Sequence, residues 1–421
     1  MSVGGQGDFD ILIVGGGMVG ATMAYALSVL PLRIGVVEAV SSGAASQPSY
    51  DDRAIALAYG SAKIFEAMGL WSRLARYASP INKIHVSDRG HFGVTRIDSA
   101  TEGVSALGYV VENRVMGAVL AEALAERGNV EMISPATVTA MSIDDNLARL
   151  EIDSATLIRN VSARLVIAAD GGDSAVRRLL HIPTRSWDYN QCAVIANITP
   201  ARHHQGVAYE RFTDTGPIAM LPSAAADDPN RCSLVWTVRG GDEQRVLGLS
   251  DEAFLAELQQ RFGYRLGELC KVGRRSGYPL RLASAKEHVR PRLALIGNAA
   301  HTLHPIAGQG FNLGLRDVAA LAQVVADATA TGQDIGTTAL LQRYAEWRRG
   351  DHRKVVGFTD TLARLFSHSL TPVALLRNVG LVAVDLVPPL KKVVTRQTMG
   401  LAGRLPRLAM GLPLVRSEHH S

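Results

Sequence analysis

The segment from Asp8 to Glu38 constrains the fold more than any other part of the chain. Asp8 to Val14, DFDILIV, reads as a buried parallel strand, and Gly15-Gly16-Gly17-Met18-Val19-Gly20 follows it directly. Gly15, Gly17 and Gly20 fit GxGxxG. Met23, Leu27 and Leu30 continue at helical spacing, and a second strand, Arg33 to Val37, ends on Glu38. Strand, glycine turn, helix, strand and acid within about 30 residues form a dinucleotide-binding unit. In such a unit Gly15 permits the tight turn, Gly17 admits a pyrophosphate to the backbone, and Gly20 lets helix and strand pack closely. Glu38 accepts hydrogen bonds from the adenosine ribose. The unit calls for an ADP-containing dinucleotide and does not separate FAD from NAD.

Two more glycine turns stand at strand ends. Arg164 to Ala169 is apolar and runs into Asp170-Gly171-Gly172-Asp173-Ser174 before a predicted helix at Ala175 to Leu180. That is where ligands bind in an open α/β sheet. Arg292 to Ile296 ends in Gly297-Asn298, followed by the extended step His304-Pro305 and by Gly308-Gln309-Gly310. Glycines on both sides of one residue let a flat ligand lie against main chain. Leu313, Leu315, Val318, Leu321, Ala322 and Val325 are spaced helically, so the amides of Gly310 to Asn312 form a helix N-terminus suited to an anion or an electron-rich ring. Each turn alone also reads as a plain link between core elements, but three in one chain favour a cofactor site. Arg53 reads equally as a phosphate or flavin contact and as a solvated arginine. Arg114, at the start of a helix over Val115 to Glu126, has the same two readings. His301 and His304 have no accompanying cysteine or acid ligand, so no metal site is expected.

Between Ile182 and Ser284 the texture changes to short alternating strands: Ala193 to Ile198, Val207 to Phe212, Pro217 to Leu221 and Ser233 to Val238. A helix, Asp251 to Phe262, and an extended piece, Gly277 to Leu282, follow; helices are predicted at Leu340 to Arg349 and Lys354 to Phe366. The expected fold class is α/β: a Rossmann-like dinucleotide domain (1–75, 105–180 and 285–368), an inserted antiparallel β-sheet substrate domain (76–104 and 181–284) and a helical, basic, apolar tail (369–421). Phe212, Pro222, Trp236, His304 and Pro305 are candidates for a substrate pocket, with core packing the plainer reading for the first three.

Composition narrows the class. With 47% hydrophobic and 20% charged residues the chain reads as a globular enzyme with an apolar bias. It has no run of 18 uncharged apolar residues, so no membrane-spanning helix is expected. MSVGGQGDFD carries no positive charge and ILIV is short, so no signal peptide is expected either. Cys192, Cys232 and Cys270 form no CxxC pair, which fits a reducing cytoplasm. Between Thr371 and Arg416, Arg377, Lys391, Lys392, Arg396, Arg404, Arg407 and Arg416 face a single acid, Asp385, so the excess charge lies there and not on the main domain. That is unlike a nucleic-acid binder. The tail reads either as a helical cap with solvated basic residues or as a surface resting on anionic lipid, at about 1 kcal/mol per basic residue.

GGGMVG (15–20) with Glu38, ADGGDSAVR (169–177) and GNAAHTLHPIAGQGFNLG (297–314) together resemble the flavoprotein aromatic hydroxylases of the para-hydroxybenzoate hydroxylase fold, the class A flavoprotein monooxygenases. The last motif, with DDRAIALA (51–58), HVSDRG (85–90) and ERFTDTGPIAMLP (210–222), is similar to the ubiquinone-biosynthesis branch, and the likeness runs from Asp8 to about Leu401. The resemblance implies FAD contacts at Gly15, Gly17, Met18, Gly20 and Glu38, with Arg53 and Arg114 secondary. It places Asp170 and Gly171 by the pyrophosphate, in a motif shared with NAD(P)H. Asn298 falls on the ribityl chain, and Gly308, Gln309, Gly310, Phe311 and Asn312 fall along the isoalloxazine ring. Most of the wider fold has aspartate where this chain has Asn298, which removes a charge but keeps a donor and an acceptor.

The implied activity is hydroxylation of a polyprenylated phenol ring in ubiquinone biosynthesis, from O₂ and NAD(P)H through a flavin C4a-hydroperoxide. The flavin carries the chemistry and no catalytic side chain is assigned. The implied setting is cytoplasmic, peripheral on the inner face of the membrane, with other ubiquinone-biosynthesis proteins as partners in a complex. Two alternatives stay open at this point: a flavin dehydrogenase or oxidase without oxygen insertion, and a catalytically silent lipid- or quinone-binding subunit.

Overall fold

The computed structural model describes residues 7–41, 53–154, 157–223, 225, 227–303, 308–367 and 371–415. Strand β1 (Phe9–Val14), helix α1 (Met18–Leu27) and strand β2 (Ile34–Val37) form the opening unit. β1 lies between β2 and the strand Leu157–Ala168, parallel to both. Val130–Ile133 extends the sheet beyond β2, and Leu293–Leu295 extends it beyond Leu157–Ala168, again in parallel. Every residue of β1 from Ile11 onward is buried because both faces are covered. Ile11 and Ile13 pack with α1 and the helices Asn113–Ala125 and Gln309–Ala330, whereas Leu12 and Val14 pack with Val138, Leu150 and Val176 on the other side.

A small sheet links this domain to the next. Strand β3 (Ala54–Ala58) pairs with Gly108–Glu112, which also pairs with Ser79–Ile81, and β3 leads into helix α2 (Tyr59–Ala67). The second large sheet has nine strands, drawn from the two inserted segments and from His301–Thr302. Its strands pair antiparallel except at one place, where Val207–Thr213 runs parallel to Lys83–Asp88. Lys83–Asp88 comes from the separate early insertion, so a hairpin cannot impose the usual antiparallel pairing. One face of this sheet packs on the helix Asp251–Phe262 through Ile218, Met220, Leu234 and Trp236; the other faces the dinucleotide domain.

Three features depart from the sequence reading. The strand predicted at Arg164 to Ala169 begins at Leu157 and carries an antiparallel extension, Ala148–Ser154 and Ala136–Ile143, whose alternating exposed residues masked it. The two helices predicted at Leu340 to Arg349 and Lys354 to Phe366 are one, Thr338–Ser367. Gly350 costs such a helix only about 1 kcal/mol, and two ion pairs on Asp351, one across Gly350 from Arg348 at 2.5 Å and one from Arg316 of the helix Gln309–Ala330 at 3.3 Å, hold the helix in register. The tail helices, Thr371–Leu386 and Pro388–Thr398, cap the inserted sheet and not the main domain alone. The Thr95 hydroxyl donates to Leu381 O at 2.6 Å, and the Gly93 and Arg96 amides donate to Asn378 and Asp385. Among the described residues no helix is long and apolar enough to cross a membrane.

Candidate active site

A cavity of about 970 Å³ opens where the carboxyl ends of the parallel strands meet the near face of the inserted sheet. Gly15, Gly17, Met18, Glu38, Arg53, Asp170, Gly171, Asn298, Gly308, Gln309, Gly310, Phe311, Asn312 and Phe212 all line it. Residues spread over three hundred positions of sequence therefore meet at one site.

At the first turn, Gly17 is the N-cap of α1 and makes no side-chain cap, so the first amides of the helix have no side-chain partner there. A Cβ built on Gly17 meets nothing within 4 Å, whereas one on Gly20 would stand 1.8 Å from Gly15 O. Gly17 thus leaves an open approach. Gly20 does not reach the cavity and serves packing alone. The Glu38 carboxylate accepts from Gly16 N at 2.7 Å and Val40 N at 3.0 Å, which aims it across the turn.

The second and third turns are tied together. Asp170 Oδ2 accepts from Val176 N at 3.1 Å, while its buried Oδ1 has no partner among the described residues. Arg177 donates to Gly172 O and, at 2.6 Å, to Ala299 O, joining the 170–174 loop to the 297–302 loop. The helix Gln309–Ala330 starts from Gly308 in a left-handed conformation (φ 59°), again without a side-chain cap, so its amides also open on the cavity.

Asn312 is committed differently from the sequence expectation. Its Oδ1 accepts from Ala58 N at 2.8 Å and Ser61 Oγ at 2.7 Å, and its Nδ2 donates to Ala56 O and Gly308 O. The side chain clamps β3 and α2 to the start of the long helix, which leaves it no polar group for a ring. Behind the helix, Asp317 is fully buried and accepts from His301 at 2.8 Å, Arg348 at 2.8 Å, His352 at 2.7 Å and Gly297 N at 3.2 Å. Burial pushes its carboxyl up, but His352, Arg348 and His301 outweigh this and hold it well below the usual carboxylate range. His301, Asp317 and His352 bring ligand-type atoms within 4.8 Å of one another. With Arg348 on the same carboxylate, the group reads as a hydrogen-bonded ion network that fixes the 297–302 loop.

Arg53 lies over the Tyr278 ring at 4.6 Å and lines the cavity. Arg114 does not: its exposed side chain pairs with the largely buried Glu112 at 2.6 Å. Trp236 and Pro222 are also off the cavity. Strand alternation turns Val235, Thr237 and Leu221 inward and sends Trp236 to the far core, where it meets Phe254 edge-on at 5.4 Å. His304 and Pro305 lie outside the described residues.

The sequence reading missed two parts of the lining. One is the tail, which contributes Leu381, Val384, Val394 and Thr398. The other is Glu210, in a register row with Val86, Ala219, Val235 and Ile195. An acid at an inward position between Ala208 and Phe212 on one alternating strand was the available signal.

Comparison with known proteins agrees with this geometry. The FAD binding domain family matches residues 8–359. The chain is 40% identical to a protein of Rhodospirillum rubrum named ubiquinone hydroxylase UbiL, over 96% of this chain and 93% of that one. It is 32% identical to the 3-demethoxyubiquinol 3-hydroxylase of Escherichia coli, over 93% and 98%. In fold it matches the p-nitrophenol 4-monooxygenase PnpA of Pseudomonas putida with a TM-score of 0.77 at 20% identity, over 94% and 98%. Open helix N-termini, the aimed acid Glu38 and the unpartnered Asp170 oxygen fit the anionic and hydroxyl groups of FAD. With that match across most of its length, and relatives that similar, the chain belongs to the FAD binding domain family, beside the ubiquinone hydroxylases.

Proposed function

We propose that this protein is an FAD-dependent monooxygenase that hydroxylates the ring of a polyprenylated phenol in ubiquinone biosynthesis, with O₂ and NAD(P)H as co-substrates. The observation that carries the reading is that one cavity joins the dinucleotide turns to an apolar sheet wall. FAD, when bound, supplies the redox chemistry and the activation of oxygen. The protein's share is positioning and exclusion of water. Gly15, Gly17 and Glu38 would hold the ADP portion of FAD, Asp170, Gly171 and Asn298 the middle of the cofactor, and the amides from Gly308 to Phe311 would favour negative charge on the ring.

On the substrate side Ile84, Val86, Ile97, Ala219, Leu221 and Val235 form a dry wall. Glu210 stands among them as the group that accepts the hydrogen bond of the phenol hydroxyl, which raises electron density in the ring to be attacked. The motifs of the chain resemble the 2-octaprenyl-6-methoxyphenol hydroxylase, whereas the Escherichia coli relative is named 3-demethoxyubiquinol 3-hydroxylase. The basic tail supports a peripheral place on the inner face of the membrane, with other ubiquinone-biosynthesis proteins as partners. Product analysis in a bacterial strain lacking its own ring hydroxylases tests the proposal. A single new hydroxyl on the accumulated prenylphenol is expected and fixes the ring carbon; unchanged precursor contradicts it.

A further inference from the structure

The tail hairpin has two apolar faces. The helices Thr371–Leu386 and Pro388–Thr398 meet at Val387, with Pro388 and Pro389 stiffening the turn. Inward, Leu381, Val384, Val394 and Thr398 close the cavity. Outward, Leu386 is 72% exposed, Val393 66%, Val387 45% and Leu390 41%. A helix pair that merely caps a domain has one apolar face and one polar face. Here four large aliphatic side chains gather at one tip in water, next to side chains that face the interior.

Charge selects the occupant of that tip. Lys392 and Arg396 are exposed on the second helix beside the aliphatic patch. Asp385, the sole acid in the sequence of these two helices, is taken up by the Arg96 amide at 2.9 Å and by Lys391 at 3.2 Å. The rim is therefore cationic. Aliphatic side chains at a tip with basic residues behind them match the surface of an anionic bilayer, where the first enter the acyl boundary and the second meet the headgroups. Leu381 and Val384 of the first helix and Val394 and Thr398 of the second line the cavity, so the hairpin that carries this tip is also part of the cavity wall.

We infer that the hairpin of residues 371–398 seats in an anionic bilayer and is the door through which a prenyl chain passes from lipid into the cavity. The door rests on the reading of a prenylated phenol as substrate; the seating does not.

The test uses the full-length, FAD-loaded protein with two phenols: one with a single prenyl unit, soluble in buffer, and one with a long prenyl chain embedded in vesicles. Leu386→Asp with Val393→Asp changes exposed side chains outside the cavity. It should keep its FAD content and its turnover of the short phenol. It should lose at least about 10-fold in binding to phosphatidylglycerol vesicles and in turnover of the embedded phenol. Val394→Trp adds bulk where the second helix lines the cavity. It should bind vesicles as the parent does and lower turnover of the long-chain phenol at least about 10-fold more than that of the short one. Pure phosphatidylcholine vesicles should bind the parent protein weakly.

Undiminished vesicle binding by the double variant overturns the seating, as does binding that ignores lipid charge. Equal effects of Val394→Trp on both phenols overturn the door. Self-association through the hairpin, with no vesicle binding, assigns the face to a second copy and also overturns the proposal. A parent protein that hydroxylates neither phenol but binds vesicles through the hairpin defeats the functional reading and leaves the seating standing.

Discussion

The Oε2 atom of Glu38 lies 2.7 Å from the amide nitrogen of Gly16, so the acid that follows β2 is fixed across the glycine turn that follows β1. One carboxylate then orders the turn and still faces the cavity. Glu38→Ala removes both effects. FAD affinity, titrated by flavin fluorescence on deflavinated protein, should fall about 10- to 100-fold, as expected for the loss of one or two charged hydrogen bonds. An unchanged affinity would remove Glu38 from the site.

Two glycines three residues apart should respond in opposite ways. Gly17→Ala adds a methyl group to open space, so the apoprotein should keep its melting temperature while FAD binding weakens. Gly20→Ala forces a carbon to within 1.8 Å of Gly15 O, with backbone as the obstacle, so the fold itself should be destabilised by about 2 kcal/mol or more. Thermal melts of both apoproteins decide; equal melts would show that the turn is not packed as described.

Glu210→Gln keeps size and loses the charged acceptor. FAD content should not change, and kcat should fall about 10- to 100-fold. A fluorinated phenol, whose hydroxyl is more acidic, should recover much of the loss. Recovery separates a role toward the phenol from a role in packing, since a packing defect would affect both phenols alike.

Acid stability is set in part by His204. This side chain is buried, and its Nδ1 accepts from Gly206 N at 3.1 Å, which the neutral ring alone can do. Burial, with His203 nearby, pushes it down to about 4; burial, with His352 and His301, does the same to His288. Between pH 6.5 and about 4 the unfolded chain binds protons that the folded chain does not, so stability falls as pH drops through that window. For His204 the fall totals about 3 kcal/mol. His204→Gln retains an acceptor for Gly206 N and should flatten the acid limb of melting temperature against pH. A limb of unchanged slope would contradict this.

The dinucleotide unit was legible because its requirements are local: Gly15, Gly17, Gly20 and Glu38 sit at fixed spacings along one strand, helix and strand. Strand runs were legible for a similar reason, since burial on both faces leaves the apolar stretches at β1 and at 293–295. What depends on which face a side chain takes was not. Trp236 and Val235 differ by one position and lie on opposite sides of the sheet. Asn312 stood at a helix N-terminus as a ring contact, yet its amide is spent on Ala58 and Ser61, residues more than 250 positions earlier. The tail could be read as basic and apolar, but its inward face needed the position of Thr95 to become visible.

Transfer of an oxygen atom from O₂ is the central claim, and isotope labelling tests it most directly. The FAD-loaded protein is given NAD(P)H and a prenylated phenol under ¹⁸O₂, and the product is weighed by mass spectrometry. One ¹⁸O per molecule of hydroxylated product is expected, with none incorporated from H₂¹⁸O. An oxidised product carrying no ¹⁸O would contradict the account and leave a flavin dehydrogenase or oxidase in its place.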